Sequence, residues 1–212
     1  MSLENKPSER DLEKPDSSKQ ANTGTSPEEP WKHPLQHRWS LWYHKNDRNR
    51  SWEENLLQIS SFDTVEDFWA LYNHMELPSK IAEGCDYSVF KYGIKPMWED
   101  RRNSQGGRWF VKLRKNQAVT DNCWLETLLC LIGEGFGELG ADVCGAVVQI
   151  RKKSDMVSVW TADYRSKDSN TRIGEILKKR LYMDPKSCIL YQAHGDTQAK
   201  NGSSKTARYV GR

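Results

Sequence analysis

The sequence predicts an α+β domain in which an antiparallel sheet carries helices on one face. Segments of alternating or β-branched residues, which are typical of strands, are joined by polar turns, and three other segments repeat apolar residues at helical spacing. The order along the chain is strands, helix, strands, helix, hairpin, helix and strand. Hairpin-type connections favour antiparallel pairing with helices packed on one face. The opposite face is then available to carry a ligand.

The first predicted elements are two strands and a helix. Residues 39–43 alternate between the two faces of an extended segment, as in a half-buried strand, and a second strand is expected at about 56–59. Asp63 is expected to cap the first helix, because Glu66 follows it at the spacing of a capping box. Apolar residues at helical spacing then continue the helix to about Met75.

The remaining elements follow from the same patterns. Strands are predicted at 87–91, 109–113, 143–150, 157–161 and 188–192, and helices at about 121–132 and 171–181. The β-branched segments 143–150 and 157–161 form a predicted hairpin with a five-residue turn, residues 151–155. Gly133 is expected to cap the second helix at its C-terminal end.

Composition divides the chain of 212 residues into a polar N-terminal part and a globular part. Residues 1–30 contain four prolines and only four apolar side chains, which predicts a disordered tail. Residues 31–212 are predicted to form one domain with a mobile segment at about 195–212. Net charge is −3 in the tail and +6 in the remainder, so a polyanionic partner is compatible with the domain. An ordinary solubilising charge remains an equal alternative.

Several functional classes lack their sequence signals. No run of about 18 apolar residues occurs, and the N-terminal residues show no signal peptide, so we expect neither a membrane-spanning helix nor secretion. The five cysteines form no C-x-x-C motif and no zinc-site spacing, which predicts free thiols in a reduced compartment and no metal. Phosphate-binding loops and common hydrolase motifs are absent, so no cofactor and no catalytic residues are predicted.

Tryptophan is unusually frequent, and Trp98 stands beside Glu99 in an irregular loop that Pro96 stiffens. An indole offers a flat surface for stacking, and a carboxylate can accept two hydrogen bonds from the N1–H and 2-amino groups of guanine. Trp52 lies at the edge of another loop and could supply a second stacking face. The alternative, that Trp52 and Trp98 only anchor their loops in the core, stays open on local pattern.

Basic residues at strand ends suit the phosphate oxygens of such a ligand. Arg108 begins a strand after a Gly-Gly turn, and Arg151, Lys152 and Lys153 occupy the predicted hairpin turn. A guanidinium group can bind phosphate through two hydrogen bonds at once. A solvated basic turn is the alternative interpretation of the last three residues.

Longer motifs carry a resemblance to a known family. The segments HPLQHRWSLWYHKNDRNRSW, FDTVEDFWALYNH, GIKPMWED, GGRW, WLETLLCLIGE and CGAVVQIR resemble the eukaryotic translation initiation factor 4E family, from about His33 to the C-terminus. Members of this family bind the 7-methylguanosine cap of messenger RNA. The resemblance implies a curved, mostly antiparallel sheet of about eight strands, backed by three helices on its convex face.

The resemblance also implies roles for individual residues of the cap site. Trp52 and Trp98 would enclose the methylated guanine, Glu99 would pair with its edge, and Trp160 would contact the methyl group. Arg108 and Arg151 would face the phosphates. The family commonly has a lysine where this chain has Met156. One phosphate contact is therefore either missing or supplied by Lys152 or Lys153. The other tryptophans, Trp39, Trp42, Trp109 and Trp124, are expected to be structural.

A second implied surface binds proteins. The family's scaffold partner, initiation factor 4G, and the competing 4E-binding proteins dock a short helix there. The matching positions in this chain are His33, Pro34, Val65, Trp69, Leu125, Glu126, Leu129 and Gly133. Ser203 lies where family members carry a regulatory phosphorylation site, and the neighbouring Ser204 is an equal local candidate.

Together these features predict a non-enzymatic protein of the cytoplasm, with the nucleus as a second compartment and no membrane partner. It would bind capped messenger RNA and recruit it to the initiation complex through the scaffold factor. One alternative is a translational repressor or tissue-specific paralogue that binds the cap but assembles poorly. Another is an enzyme that acts on capped or free guanine nucleotides.

Overall fold

The computed structural model describes residues 31–183, 188–198 and 209–211, and within them eight strands form one sheet. Their bounds are β1 Pro34–His44, β2 Leu56–Thr64, β3 Asp86–Lys91, β4 Gly107–Arg114, β5 Val143–Gln149, β6 Ser154–Thr161, β7 Ile189–Ala193 and β8 Tyr209–Gly211. The spatial order is β2-β1-β3-β5-β6-β4-β7-β8, and every neighbouring pair is antiparallel. The predicted α+β class with a curved antiparallel sheet is confirmed.

The three predicted helices are present, and the described residues also form a fourth, short α-helix. Their bounds are α1 Val65–His74, α2 Gln117–Ile132, α3 Lys167–Arg180 and α4 His194–Gln198, and short 3₁₀ helices span Pro78–Lys80 and Gly137–Asp142. The sequence patterns did not indicate α4 or β8. The mobility expected for about 195–212 stays a prediction, as does the disorder expected of residues 1–30, which lie outside the described residues.

Some predicted boundaries are wrong. The N-cap of α1 is Thr64 rather than Asp63, because β2 continues through residue 64 and the Thr64 hydroxyl oxygen accepts the Asp67 backbone N–H at 3.1 Å. Helix α2 begins at Gln117, four residues earlier than predicted, where the Asn116 side chain accepts the Val119 N–H at 3.2 Å. The predicted cap at the other end of α2 is confirmed at Gly133.

The same early start is found in α3, which begins at residue 167 instead of about 171. The β5–β6 turn is shorter than predicted and comprises residues 150–153, because β6 already begins at residue 154. The first turn of α3 is polar and carries no apolar periodicity, so pattern analysis places its start too late.

Both faces of the sheet carry buried apolar residues. The larger cluster joins the sheet to α1, α2 and α3, so these three helices cover the same face. Trp39, Trp109 and Trp124 are at most 1% exposed within it, as expected for structural residues. Helix α3 approaches the sheet closely at Gly174, where a Cβ atom would lie 2.6 Å from two ring atoms of Trp109. The Trp109 indole N–H donates to the Asn170 carbonyl oxygen at 2.8 Å.

A smaller cluster lies on the opposite face, beneath the candidate site. It contains Phe90, Ile94, Cys144, Val147 and Trp160. The four strand residues among them, Phe90, Cys144, Val147 and Trp160, alternate along their strands with members of the larger cluster, which places them on the other side of the sheet. The face opposite α1, α2 and α3 therefore has an apolar floor of its own.

Candidate nucleotide-binding site

A cavity of about 800 Å³ opens on the sheet face opposite the three helices. Six of the eight side chains predicted to bind the cap line it: Trp52, Trp98, Glu99, Arg108, Arg151 and Trp160. The other two, Lys152 and Lys153, lie exposed in the β5–β6 turn and do not line the cavity. The topology thus gathers aromatic, acidic and basic groups from five separate parts of the chain into one site.

The two flanking tryptophans are presented to solvent rather than packed away. Trp52 is 47% exposed and Trp98 is 39% exposed. The alternative that they are buried loop anchors is therefore wrong. Large apolar rings left this accessible in a cavity are suited to stacking on a flat ligand.

Side-chain hydrogen bonds fix the loop that carries Trp98. The Asn103 amide donates to the carbonyl oxygens of Lys95 and Met97, both at 2.8 Å, and Asn103 is fully buried. The Asp100 carboxylate accepts the Lys95 backbone N–H at 2.9 Å. These bonds close the connection between β3 and β4 around Trp98 without a helix or strand.

The loop that carries Trp52 has a comparable internal support. The buried Asn55 amide donates to the Asp47 carbonyl oxygen at 2.7 Å, and the Ser51 N–H donates to the Glu54 carboxylate at 2.7 Å. The Trp52 ring also stacks on His44 at the end of β1, with ring centroids 5.2 Å apart. Backbone order around both tryptophans reduces the conformational entropy lost when a ligand binds.

Glu99 lies directly beside the Trp98 ring. The Trp98 indole N–H donates to one oxygen of the Glu99 carboxylate. The contact holds the carboxylate at the edge of the stacking surface, where a bound purine would present its own donors.

Trp160 forms the floor of the cavity between two other rings. Its ring centroid lies 5.4 Å from that of Phe90, edge to face, and 4.1 Å from that of His194. Gly145 of β5 pairs with both Phe90 and Trp160 in the sheet, and a Cβ atom there would lie 2.5 Å from the Phe90 ring. The missing side chain lets the two rings meet across β5.

His194 was not singled out from the sequence, and its charge state matters for the floor. It is 3% exposed, and its Nε2 atom has no hydrogen-bond partner among the described residues. Burial, and secondarily the charge of Arg108, lower the pKa of His194 to about 3. The ring is therefore neutral at physiological pH and packs against Trp160 as a flat, uncharged group.

The basic end of the cavity contains a carboxylate that the sequence patterns also missed. Arg151 binds Asp86 through two hydrogen bonds, of 2.5 and 3.1 Å, and the Gln149 amide donates to the same carboxylate at 3.1 Å. Asp86 is 8% exposed. A bidentate pair of this kind orients the guanidinium plane and partly offsets its charge.

Arg108 occupies a more enclosed place than Arg151. Burial lowers the pKa of Arg108, with the charge of Arg151 acting in the same direction and that of Asp86 against it. The guanidinium carbon lies 5.6 Å from the centre of the Phe110 ring on the same strand. Arg108 is half-buried, and its guanidinium donates to the neutral Gln192 side-chain oxygen at 3.5 Å, so its positive charge is available to attract an anionic ligand.

The second predicted surface lies on the helical side. Val65 and Trp69 of α1 are each 37% exposed, although both are large apolar residues. Leu125, Glu126 and Leu129 of α2 are half-buried at the edge of the larger cluster, and Gly133 is exposed. Exposed apolar side chains at helical spacing suit an amphipathic partner helix.

The chain entering β1 is tied to α1 beside this surface. The backbone N–H of His33 donates to the Glu66 carboxylate at 2.8 Å, and the His33 ring contacts the same carboxylate at 2.6 Å. Lys32 forms an ion pair of 2.8 Å with Asp67. These contacts place His33 and Pro34 next to the first turn of α1.

Comparison with known proteins identifies the family. The family model described as "Eukaryotic initiation factor 4E" matches residues 34–209. The chain belongs to the eukaryotic initiation factor 4E family. It is 56% identical over 181 residues to eukaryotic translation initiation factor 4E-1A of Danio rerio, covering 84% of each chain. It is 54% identical over 187 residues to eukaryotic translation initiation factor 4E of Homo sapiens, covering 87% of this chain and 86% of the human protein.

Solved structures of family members are also similar. The complex of C. elegans eIF4E-3 with the 4E-binding protein Mextli and cap analog has a TM-score of 0.80 and 47% identity, covering 85% of this chain and 99% of that chain. Schistosome eIF4E in complex with m7GpppG and 4E-BP has a TM-score of 0.79 and 34% identity, with the same coverage. Both of these relatives were therefore solved with a cap compound and a 4E-binding protein.

The remaining predictions concern a phosphorylation site, metal binding and membrane-spanning helices. Ser203 lies outside the described residues, so its phosphorylation stays a prediction. Where side chains are described, no group of three or more His, Cys, Asp or Glu residues is placed to hold a metal ion. Across the described parts of this family member, a helix with the length and apolarity needed to cross a membrane is not found.

Proposed function

We propose that this family member binds the 7-methylguanosine cap of messenger RNA in the cavity and recruits the message to the initiation complex through a scaffold protein. The arrangement of Trp52 and Trp98, both exposed at a cavity with Glu99 and two arginines, is the observation that carries this proposal. Membership of the 4E family supports it.

Base recognition follows from the charge of the methylated ring. Methylation at N7 makes guanine cationic, so stacking between Trp52 and Trp98 gains a cation–π contribution on the order of 2 kcal/mol when desolvated. The same charge makes N1–H more acidic and strengthens its hydrogen bond to Glu99. Unmethylated guanine lacks both contributions. Trp160, the enclosed floor residue, is proposed to contact the methyl group.

Arg108 and Arg151 are proposed to bind the phosphate chain. Arg108 is held within the cavity beside Phe110, and Arg151 is oriented by Asp86. Lys152 and Lys153 were candidates for an additional phosphate contact, but they lie outside the cavity lining. A contribution from either lysine stays a prediction from the sequence.

Recruitment is assigned to the helical surface around Trp69. Its exposed apolar side chains favour a chain that joins the initiation complex over a repressor that binds the cap but assembles poorly. We infer that the scaffold factor 4G and 4E-binding proteins compete for this surface. The protein is proposed to act by binding, without catalysis, in the cytoplasm and in the nucleus.

Titration of intrinsic tryptophan fluorescence with 7-methyl-GTP and, in parallel, GTP tests cap recognition. Strong quenching by the methylated nucleotide alone is expected, because only that ring stacks as a cation. Trp52→Ala and Trp98→Ala should lose the quenching, whereas Trp69→Ala, which removes an indole outside the cavity, should keep it. Equal quenching by both nucleotides would contradict the proposal.

A further inference from the structure

The register of the sheet places a further basic residue, Lys112 of β4, on the same side of the sheet as the cavity, although Lys112 does not line the cavity. Trp109 and Val111 of β4 are buried in the larger cluster on the helical side. Because side chains alternate along a strand, Arg108, Phe110 and Lys112 face the cavity side. The 5.6 Å contact between Arg108 and the Phe110 ring agrees with this assignment.

One row of paired residues crosses the sheet at this end. Asp86 pairs with Gln149, Gln149 with Met156, and Met156 with Lys112. Directly paired residues point to the same side of a sheet, with Cβ atoms about 4.5–5.5 Å apart. Asp86 and Gln149 line the cavity, so Met156 and Lys112 continue the same row beyond it.

The position of Lys112 relative to the two arginines follows from strand geometry. Two strand spacings, about 10 Å, separate it from Gln149 at the Arg151 end of β5. Four residues of β4, about 13 Å, separate it from Arg108 on the same face. The three cations therefore lie on the same side of the sheet, and Lys112 is exposed and has a flexible four-carbon stem.

Charge balance shows why a third cation matters there. Arg108 and Arg151 contribute two positive charges, but the Asp86 carboxylate binds Arg151 through two hydrogen bonds. The net charge that Arg108, Arg151 and Asp86 together present to a nucleoside triphosphate is therefore about +1. Met156, which lies between Gln149 and Lys112 in this row, adds no charge.

We propose that Lys112 supplies the third phosphate contact of this chain, reaching over Met156 from the neighbouring strand. This inference rests on the proposed cap-binding function and adds to it a residue that governs affinity for the phosphate chain.

The test measures binding of 7-methyl-GTP and 7-methyl-GMP by fluorescence at several salt concentrations. Lys112→Gln should weaken 7-methyl-GTP binding roughly three- to tenfold and reduce the slope of log K against log salt by about one. Binding of 7-methyl-GMP should change less than twofold, because its single phosphate stays near the base. Lys179→Gln, which removes the same charge from an exposed position of α3 on the other side of the sheet, is the matched control and should change neither ligand's affinity.

A double-mutant cycle with Met156→Lys adds a second criterion. If both lysines reach the same phosphate, Met156→Lys should raise affinity more in the Lys112→Gln background than in the wild type. Additive effects, or unchanged 7-methyl-GTP affinity and salt slope in Lys112→Gln, would overturn the inference. Wild-type protein that fails to bind 7-methyl-GMP would instead overturn the proposed cap-binding function.

Discussion

Replacing Glu99 by alanine tests base recognition most directly. The side chain is exposed at the cavity, so its loss should change the free energy of unfolding by no more than about 0.5 kcal/mol. Binding should suffer far more, because two hydrogen bonds to a charged acceptor contribute about 1.5–3 kcal/mol each. A total of about 3–6 kcal/mol corresponds to a loss of roughly two to four powers of ten in affinity for 7-methyl-GTP.

The chain contains a matched control for this variant. Glu53 follows Trp52 as Glu99 follows Trp98, and it is also exposed and lines the cavity. Glu53→Ala should bind within about twofold of the wild type in the same fluorescence titration, and urea denaturation should show both variants folded. Glu99→Ala protein that still binds within twofold of the wild type would refute the assignment of Glu99 to the base edge.

Three further predictions concern partner binding and stability. Trp69→Ala should abolish binding of a helical scaffold peptide in calorimetry and leave 7-methyl-GTP binding intact; unchanged peptide affinity would count against the helical surface. Gly174→Ala should lower the free energy of unfolding by up to about 2 kcal/mol in urea denaturation. The new Cβ would lie 2.6 Å from the Trp109 ring, and overpacking of about 1–3 kcal/mol outweighs the helical preference of alanine, about 1 kcal/mol. Because the pKa of His194 is about 3 when folded and about 6.5 when unfolded, the unfolded chain takes up the proton first. Stability should therefore fall as pH drops from about 6.5 towards 3, and His194→Phe should flatten that decline; an identical pH profile in the variant would contradict the origin of the effect.

Periodicity predicted the presence of the main helices better than their ends. Phe68 and its neighbours repeat at helical spacing, so α1 could be recognised without a structure. The cap at Thr64 could not be distinguished from Asp63, because both are residues that favour N-cap positions. Only the hydrogen bond from the Asp67 N–H to the Thr64 hydroxyl oxygen decides between them. The start of α2 at Gln117 was missed for a similar reason, since its cap is a side-chain contact of Asn116.

In the candidate site, pairs of adjacent residues could be recognised from the sequence, whereas pairs that are distant in the chain could not. Trp98 and Glu99 are adjacent, so their joint chemistry could be inferred from the sequence. Asp86 gave no such signal, because a carboxylate before an apolar strand resembles an ordinary solvated charge. Its role is visible only through the pair with Arg151, 65 residues further along the chain. Strand order and register, which bring such residues together, are not encoded in the periodicity of any single segment.

Gly145 has a consequence for the shape of the ligand site. Phe90 and Trp160 pack edge to face across the bare backbone of β5, with ring centroids 5.4 Å apart. A Cβ atom at this position would lie 2.5 Å from the Phe90 ring, so this ring would have to move. If Trp160 contacts the N7-methyl group as proposed, the glycine at position 145 leaves room for that group on the floor of the site.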